Sequence, residues 1–447
     1  MSIEAGLNIG ELSKSSFSTK PAGNGLGGTL AATGVIRERG PDRVRSVARL
    51  YRDCVERRRA CSERFDEWIR CRFRELNTEL EELYFAHEPG GVIRDVGHAQ
   101  KAALCQEGHQ WIAALSARPL EDDHGGSHYD LLGNIGFYMA ACARHQIDET
   151  IAGTAARQRE ATALALSIGA RLGVAPRLLS SHLMTHNVAS DGRYKTFTTL
   201  RDEVVFLDVN TTSVLAYQRA ARAVLRVLSL GASHPVAATL LCTAKQALDD
   251  VITTNRRLLD ELDDERFFYS VRAYYKPHRV GSSIYRGPNA GDFAAISVLD
   301  VVLGLCRTTD PSYSQILLEK MPYLAPEDQS LLRRSLGERN LMDEFLGEMG
   351  AHAGEPWFKR NLALFLAVCS LHGQVTNEHH EKLVEKFIKQ PTARVPLAAS
   401  QDNLTASGPP LPVVLAALEK LRDRRCARLR DGLSTRHHDI QRLTALV

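Results

Sequence analysis

A chain of 447 residues, 44% hydrophobic and 24% charged, can bury one large core or two to three ordinary domains. With 56 Lys+Arg against 53 Asp+Glu the formal net charge is only +3, which argues against a dedicated nucleic-acid binder built on a basic stripe. No apolar run reaches the roughly 18 residues that a spanning helix needs, so no membrane segment is expected. The N-terminus, MSIEAGLNIGELSKSS, lacks a basic region followed by an apolar one, so secretion by that route is not expected either. Nine cysteines, at 54, 61, 71, 105, 142, 242, 306, 369 and 426, form no CxxC and no zinc-finger spacing. They read as reduced thiols of a soluble, cytoplasmic protein. Cys369 opens a Cys-x-x-His stretch ending at His372, and its simplest reading is a small buried hydrophobe.

Residues 1–42 are rich in Gly, Ser and Thr and poor in aromatics, and are expected to form a flexible tail. The run GNGLGG at 23–28 follows no strand and precedes no GK[ST], so it is no phosphate cradle. From Arg43 to Leu83 the charges alternate in sign, while Val47, Leu50, Tyr51, Cys54 and Val55 recur at helical spacing. This predicts a long amphipathic helix with a salt-bridged outer face, opening an N-terminal helical subdomain over 43–125. A larger helical domain is expected over 126–447. Its helical patterns are Asp130–Arg144, Thr150–Leu172, Ser213–Ser229, Pro235–Leu262, Leu362–Leu371, Glu378–Lys389 and Pro412–Arg430. Glu203–Val209 is the best strand candidate and stands alone, so the fold class is all-α rather than βαβ. Pro391–Pro412 reads as a loop, and no repeat period is evident.

Three segments could carry chemistry. In Asn377–Ile388, Asn377 is expected to cap a helix on which His380, Leu383, Val384 and Phe387 fall at i, i+3, i+4 and i+7. His380 then heads the apolar stripe, with His379 beside Lys382 and Lys386 on the wet face. Such a histidine is either a satisfied core residue or the axial ligand of a buried iron. In Glu265–Tyr275, Phe268, Arg272 and Tyr275 share one predicted helical face. An arginine among rings suits an aromatic amino acid, with the guanidinium taking the carboxylate. The competing reading is a surface ion pair with Asp263, Asp264 or Glu265. In Arg279–Asp292, Gly281, Gly287 and Gly291 permit close backbone approach, and Asp292 is expected to cap the helix beginning at Phe293. That segment is either a loop pressed on a flat cofactor or an ordinary helix–helix connection.

In order, FFYSVRAYY, GPNAGDF leading into LDVVLGL, and HEKLVEKFI resemble the successive signatures of the haem-dependent indoleamine/tryptophan dioxygenase superfamily. Asn134–Tyr138 and YYKPHRVGSSIYRGP at 274–288 are most similar to its monodechloroaminopyrrolnitrin synthase branch. The resemblance covers about residues 130–430 and implies that 126–447 is the haem-binding catalytic domain.

Residue by residue, the resemblance implies His380 as proximal iron ligand, Arg272 as clamp on the substrate carboxylate, and Phe267 and Phe268 as the aromatic pair beside the substrate. It also implies Asn289 and Ala290 on the distal side of the haem, with His182 and Asn187 of the segment LLSSHLMTHN walling the same pocket. The glycine/threonine-rich loop of the dioxygenases survives only as Thr405–Pro410, which leaves the substrate open. The activity implied is that of a haem b oxygenase acting with O2 on tryptophan or a derivative, in secondary metabolism or tryptophan oxidation. No nucleic-acid or membrane partner is expected, and the oligomeric state is not legible. The alternative is a non-catalytic haem-binding sensor or a helical scaffold, neither of which needs a carboxylate clamp.

Overall fold

Helices account for nearly all regular structure, as the periodicity requires. The structure, a computed structural model, describes residues 59–87, 95–117, 125–147, 154–337, 339–394 and 409–447. The expected tail and most of the loop before Pro412 lie outside the described residues. In chain order the main helices are α1 (59–70), α2 (Arg72–His87), α3 (His98–Ser116), α4 (Gly125–Arg144) and α5 (Thr154–Leu172). Next come α6 (Arg201–Leu230), α7 (Ala237–Glu261), α8 (Ala294–Val302), α9 (Pro311–Lys320) and α10 (Pro326–Ser335). The series closes with α11 (Leu341–His352), α12 (Pro356–Glu378), α13 (Leu411–Arg425) and α14 (His437–Thr444). Among the described residues the only sheet is an antiparallel hairpin, β1 (His278–Val280) with β2 (Ser283–Tyr285), in which Arg279 faces Ile284. Its turn passes through Gly281 at φ 63°, a conformation that favours glycine.

The longest helices form the spine. Leu207, Val214, Tyr217, Ala221 and Val224 of α6 recur every three, four or seven residues and are all buried. On α7 the matching stripe is Leu241, Ala244, Leu248, Val251 and Leu258. The two helices fold back on each other after Gly231, whose φ of 94° ends α6. Each fully buried Leu or Val contributes about 1.5–3 kcal/mol, so these stripes outweigh local propensity. That explains one correction. Glu203–Val209, expected as a strand, forms the first turns of α6, because Leu207 belongs to this helical stripe. The Glu203 carboxylate instead accepts the N–H groups of Phe197 and Thr198, at 2.7 and 2.6 Å.

The N-terminal helices enter the same core. Phe65, Ile69, Phe73 and Leu76 are buried, and Phe73 meets Phe137 of α4 at 6.3 Å between ring centres. Phe137 in turn packs against Phe197 at 4.8 Å. On the opposite side of the sequence, Asp300 of α8 holds four elements together. Its fully buried carboxylate accepts from Arg425 of α13 (2.7 and 2.8 Å), Tyr313 of α9 (2.9 Å) and the Nε2–H of His372 on α12 (2.8 Å). Cys369, one turn earlier, is buried as expected.

Candidate active site

The arginine segment is irregular from its start. The Asp263 carboxylate accepts the N–H of Arg266 (2.7 Å) and caps a single turn, Asp264–Arg266. The chain continues as a π-helical turn, Phe267–Val271, and a 3-10 turn, Arg272–Tyr275. Such turns are rare inside helices and gather at functional sites. Here they set the Arg272 guanidinium over the Phe268 ring, 5.2 Å from its centre. Tyr275, expected on the same face, packs against Phe206 at 5.9 Å because the π turn changes the phasing. Phe267 is buried, 4.7 Å from Phe206.

Arg272 has no carboxylate partner among the described residues. Burial alone pushes its pKa down to about 10. The neighbouring acids are engaged elsewhere: Asp263 as the cap, and Asp264 and Glu265 each 3.3 Å from Arg394. The surface ion pair weighed from the sequence therefore does not form.

The histidine segment is equally irregular. No helix starts at Asn377, which corrects the expected cap: α12 runs through it, and its side-chain oxygen accepts from Arg428 at 2.8 Å. Two π-helical turns follow, His379–Leu383 and Glu385–Lys389. His380 is buried and its Nε2 has no partner. Burial lowers its pKa, and Arg422 of α13 adds to the effect. His379 is exposed, yet desolvation pushes it down to about 4. Both imidazoles are therefore neutral near pH 7, the form that binds a metal.

The distal candidates sit on a second joined pair of segments. Around the short turn Ser180–Leu183, the Leu179 N–H donates to His182 Nδ1 at 3.0 Å, which puts the His182 proton on Nε2. That Nε2 is buried without a partner, and the Tyr129 ring lies 4.1 Å from the imidazole. Ser180 Oγ donates to the Asn289 carbonyl (2.6 Å) and so ties this turn to the glycine loop. Asn289 is exposed, Ala290 half-buried, and the Asn289 side chain accepts the Gly291 N–H (3.0 Å). Asn187 instead bridges the Leu183 and Lys195 carbonyls, a structural role. Asp292 does not cap α8: it accepts Arg286 at 2.6 and 2.9 Å, and Asp328 takes the Ala294 N–H at 3.0 Å.

A family model for monodechloroaminopyrrolnitrin synthase PrnB matches residues 60–447. The chain belongs to this family. It is accordingly an enzyme, a haem-dependent oxygenase of the tryptophan dioxygenase-like superfamily, and the all-α architecture agrees. The PrnB match extends N-terminal to the expected boundary at 125 and takes in α1 to α3. Sequence reasoning passed over Asp300 and Arg425. The signal was present: an aspartate inside the apolar run LDVVLGL needs a buried counter-charge.

Proposed function

We propose that the protein is a haem b-dependent oxygenase acting with O2 on an aromatic amino acid, tryptophan or a derivative, in secondary metabolism. The observation that carries this reading is Arg272, a half-buried cation over an aromatic ring with no acid beside it among the described residues. A partly desolvated guanidinium without a counter-charge is poised to take a ligand anion. A substrate carboxylate has the charge and the two oxygens that match a guanidinium fork. Phe268 and Phe267 offer ring faces and edges to the aromatic side chain.

The residues fit a haem. His380 presents a neutral imidazole whose Nε2 is buried and unpartnered, the condition an axial ligand leaves when its metal is left out of account. When bound, the haem supplies the iron at which oxygen is activated. What the chain adds is position: Arg272 fixes one end of the substrate, and the glycine loop at Asn289–Ala290 and the Nε2–H of His182 border the other side. We assign these parts to a catalytic domain over 126–447; of the helical subdomain expected over 43–125, the described helices α1 to α3 pack into its core. The eight cysteines among the described residues are present as thiols, which supports a cytoplasmic setting.

The test is the absorption spectrum of the purified protein with and without tryptophan. A haem band that shifts on adding the amino acid is the expected result. A protein that takes up no haem on reconstitution overturns the cofactor assignment, and a band indifferent to every aromatic amino acid overturns the substrate class.

A further inference from the structure

The inner face of α2 is unusual for a helix that packs on a core, because its buried stripe includes three polar residues. Asn77, Glu81 and Tyr84 lie at i, i+4 and i+7, and all three are buried. A polar group in the interior costs free energy unless its bonds are made. Here each bond is made to the last residue of α4 or to the one after it, and from there the contacts reach the segment that carries Arg272.

Arg144, which ends α4, binds both oxygens of the buried Glu81 carboxylate, through Nε at 2.7 Å and Nη2 at 2.8 Å. The same Nη2 donates to the Tyr269 carbonyl at 3.0 Å. Tyr269 is the middle residue of the π turn Phe267–Val271, three residues before Arg272. A side chain that bonds into the backbone ladder is one of the known causes of a break in helical register. His145 holds the other side. Asn77 gives its own Nδ2–H to the Phe73 carbonyl (2.9 Å), so its Oδ1 accepts the Nε2–H of His145 at 2.7 Å. The hydroxyl of Tyr274, two residues after Arg272, lies 3.2 Å from the same nitrogen. A third grip comes directly from α2, where Glu82 pairs with Arg266 and the Phe85 ring lies 4.4 Å from its guanidinium. The segment is thus held before, within and after its irregular turns.

We propose that Arg144 is a positioning residue for substrate binding. Held by Glu81, it fixes the register of the π turn and so the place where the Arg272 guanidinium meets the substrate carboxylate. The inference rests on the carboxylate-clamp reading above and deepens it, since it gives α2, which precedes the catalytic domain in sequence, a part in selecting the substrate. An ion pair serving stability alone would be complete with Glu81, whereas the third bond of Arg144 goes to a backbone carbonyl inside the turn that leads to the clamp.

Full-length wild type, Arg144→Lys and Arg272→Ala, each reconstituted with haem, are titrated calorimetrically with tryptophan and with tryptamine, its decarboxylated amine. The readout is the ratio of the two affinities, with far-ultraviolet circular dichroism confirming that each chain is folded. Lysine can pair with Glu81 but has no planar fork with which to reach Tyr269 as well. Arg144→Lys should therefore lower the acid-to-amine ratio by about ten- to a hundredfold, the scale on which a misplaced binding group acts. Should that variant misfold, Glu81→Leu with Arg144→Met, which removes both buried charges together and keeps bulk, replaces it in the same comparison.

If the folded variant keeps the wild-type ratio, the Arg144–Glu81 pair is structural only and the proposal is overturned. A ratio unchanged in Arg272→Ala defeats the clamp reading itself. A ratio lost in Arg272→Ala and kept in Arg144→Lys defeats this inference alone.

Discussion

The ring of Phe267 meets the ring of Phe387 edge-on, with centres 5.9 Å apart and planes at 76°. The contact joins the π turn before Arg272 to the π turn beyond the histidine doublet. Phe206 of α6 backs Phe267 at 4.7 Å, so three elements meet at one aromatic cluster. An aromatic pair of this geometry contributes about 0.5–1.5 kcal/mol beyond its area. Its consequence for function is positional: the arginine and the histidines lie 107 and more residues apart in sequence, and this contact joins the turns that carry and follow them.

The first expected outcome concerns Arg272. Removing it with Arg272→Ala should cost about 2–4 kcal/mol in binding of an aromatic amino acid, because a charge-assisted hydrogen bond in a dry site is lost. Arg272→Lys keeps the charge and loses the fork, so it should recover only part. Calorimetric titration with tryptophan and with its decarboxylated amine checks this. Wild type should prefer the acid and the alanine variant should not; equal affinities throughout would refute the clamp.

Asp300 should dominate stability. Asp300→Asn leaves the Arg425 guanidinium buried and only partly compensated, which should cost about 3–5 kcal/mol. Arg425→Met alone strands the carboxylate and should be comparably damaging. The double variant Asp300→Asn with Arg425→Met should be less destabilised than the sum of the singles, since the two changes remove one interaction. Urea unfolding of the four proteins gives the cycle, and strict additivity would mean that the two groups act independently.

How much of this was legible in the sequence depends on what each signal encodes. Burial periodicity exposed α4, α7 and α13, because a helix that packs on one side must repeat its apolar residues at 3.6. It failed at α6, where Val205, Leu207 and Val209 alternate like a strand and only the distant Val214 and Tyr217 reveal the period. Arg272 and His380 were visible as residues out of place among apolar neighbours. Their π-helical settings were not, because a π turn is fixed by tertiary packing and carries no composition of its own. The phasing that put His380 on the apolar stripe and His379 on the wet face nevertheless agrees with their burial, His380 buried and His379 exposed. The cap on α8 was misassigned to Asp292 since its true acceptor, Asp328, lies 34 residues downstream of Ala294.

Close approach at Gly136 gives a sharper test of the distal side. A Cβ there would come 2.4 Å from the Leu178 backbone nitrogen and 2.7 Å from its Cα, and backbone cannot yield as a flexible side chain does. Gly136→Ala should therefore destabilise by about 1–3 kcal/mol or displace the turn that bears His182. Gly347 on α11 meets nothing within 4 Å, so Gly347→Ala should stabilise by about 0.5–1 kcal/mol through helix propensity. Chemical denaturation of both variants should show opposite signs; the same sign in both would mean that the α4 contact is not tight.

Stability should fall as the solution is acidified below neutrality. His145 bonds Asn77 through Nε2 (2.7 Å) and Tyr84 through Nδ1 (3.1 Å), and burial holds its pKa well below 6.5, with Arg144 and Lys101 adding to the effect. Burial also lowers His182, His278 and His372. An unfolded chain takes up protons at these positions near pH 6.5 and the folded chain does not, so their contribution is complete above 6.5 and is lost as the pH falls. Glu203 works in the other direction: burial raises it from 4.5 to about 7, so its share is present below 4.5 and is lost as the pH rises to 7. With His379 and His380 also lowered, and Asp328 and Glu348 raised beside Glu203, the histidines outnumber the raised carboxyls and leave a net loss on acidification. Each group whose protonation differs between the two states contributes up to about 1.4 kcal/mol per pH unit. His145→Gln keeps hydrogen-bonding capacity without a titrating group and should reduce the slope by about one such share. Urea unfolding at pH 7.5, 6.5 and 5.5 measures it, and identical slopes in variant and wild type would show that His145 is protonated in the folded state.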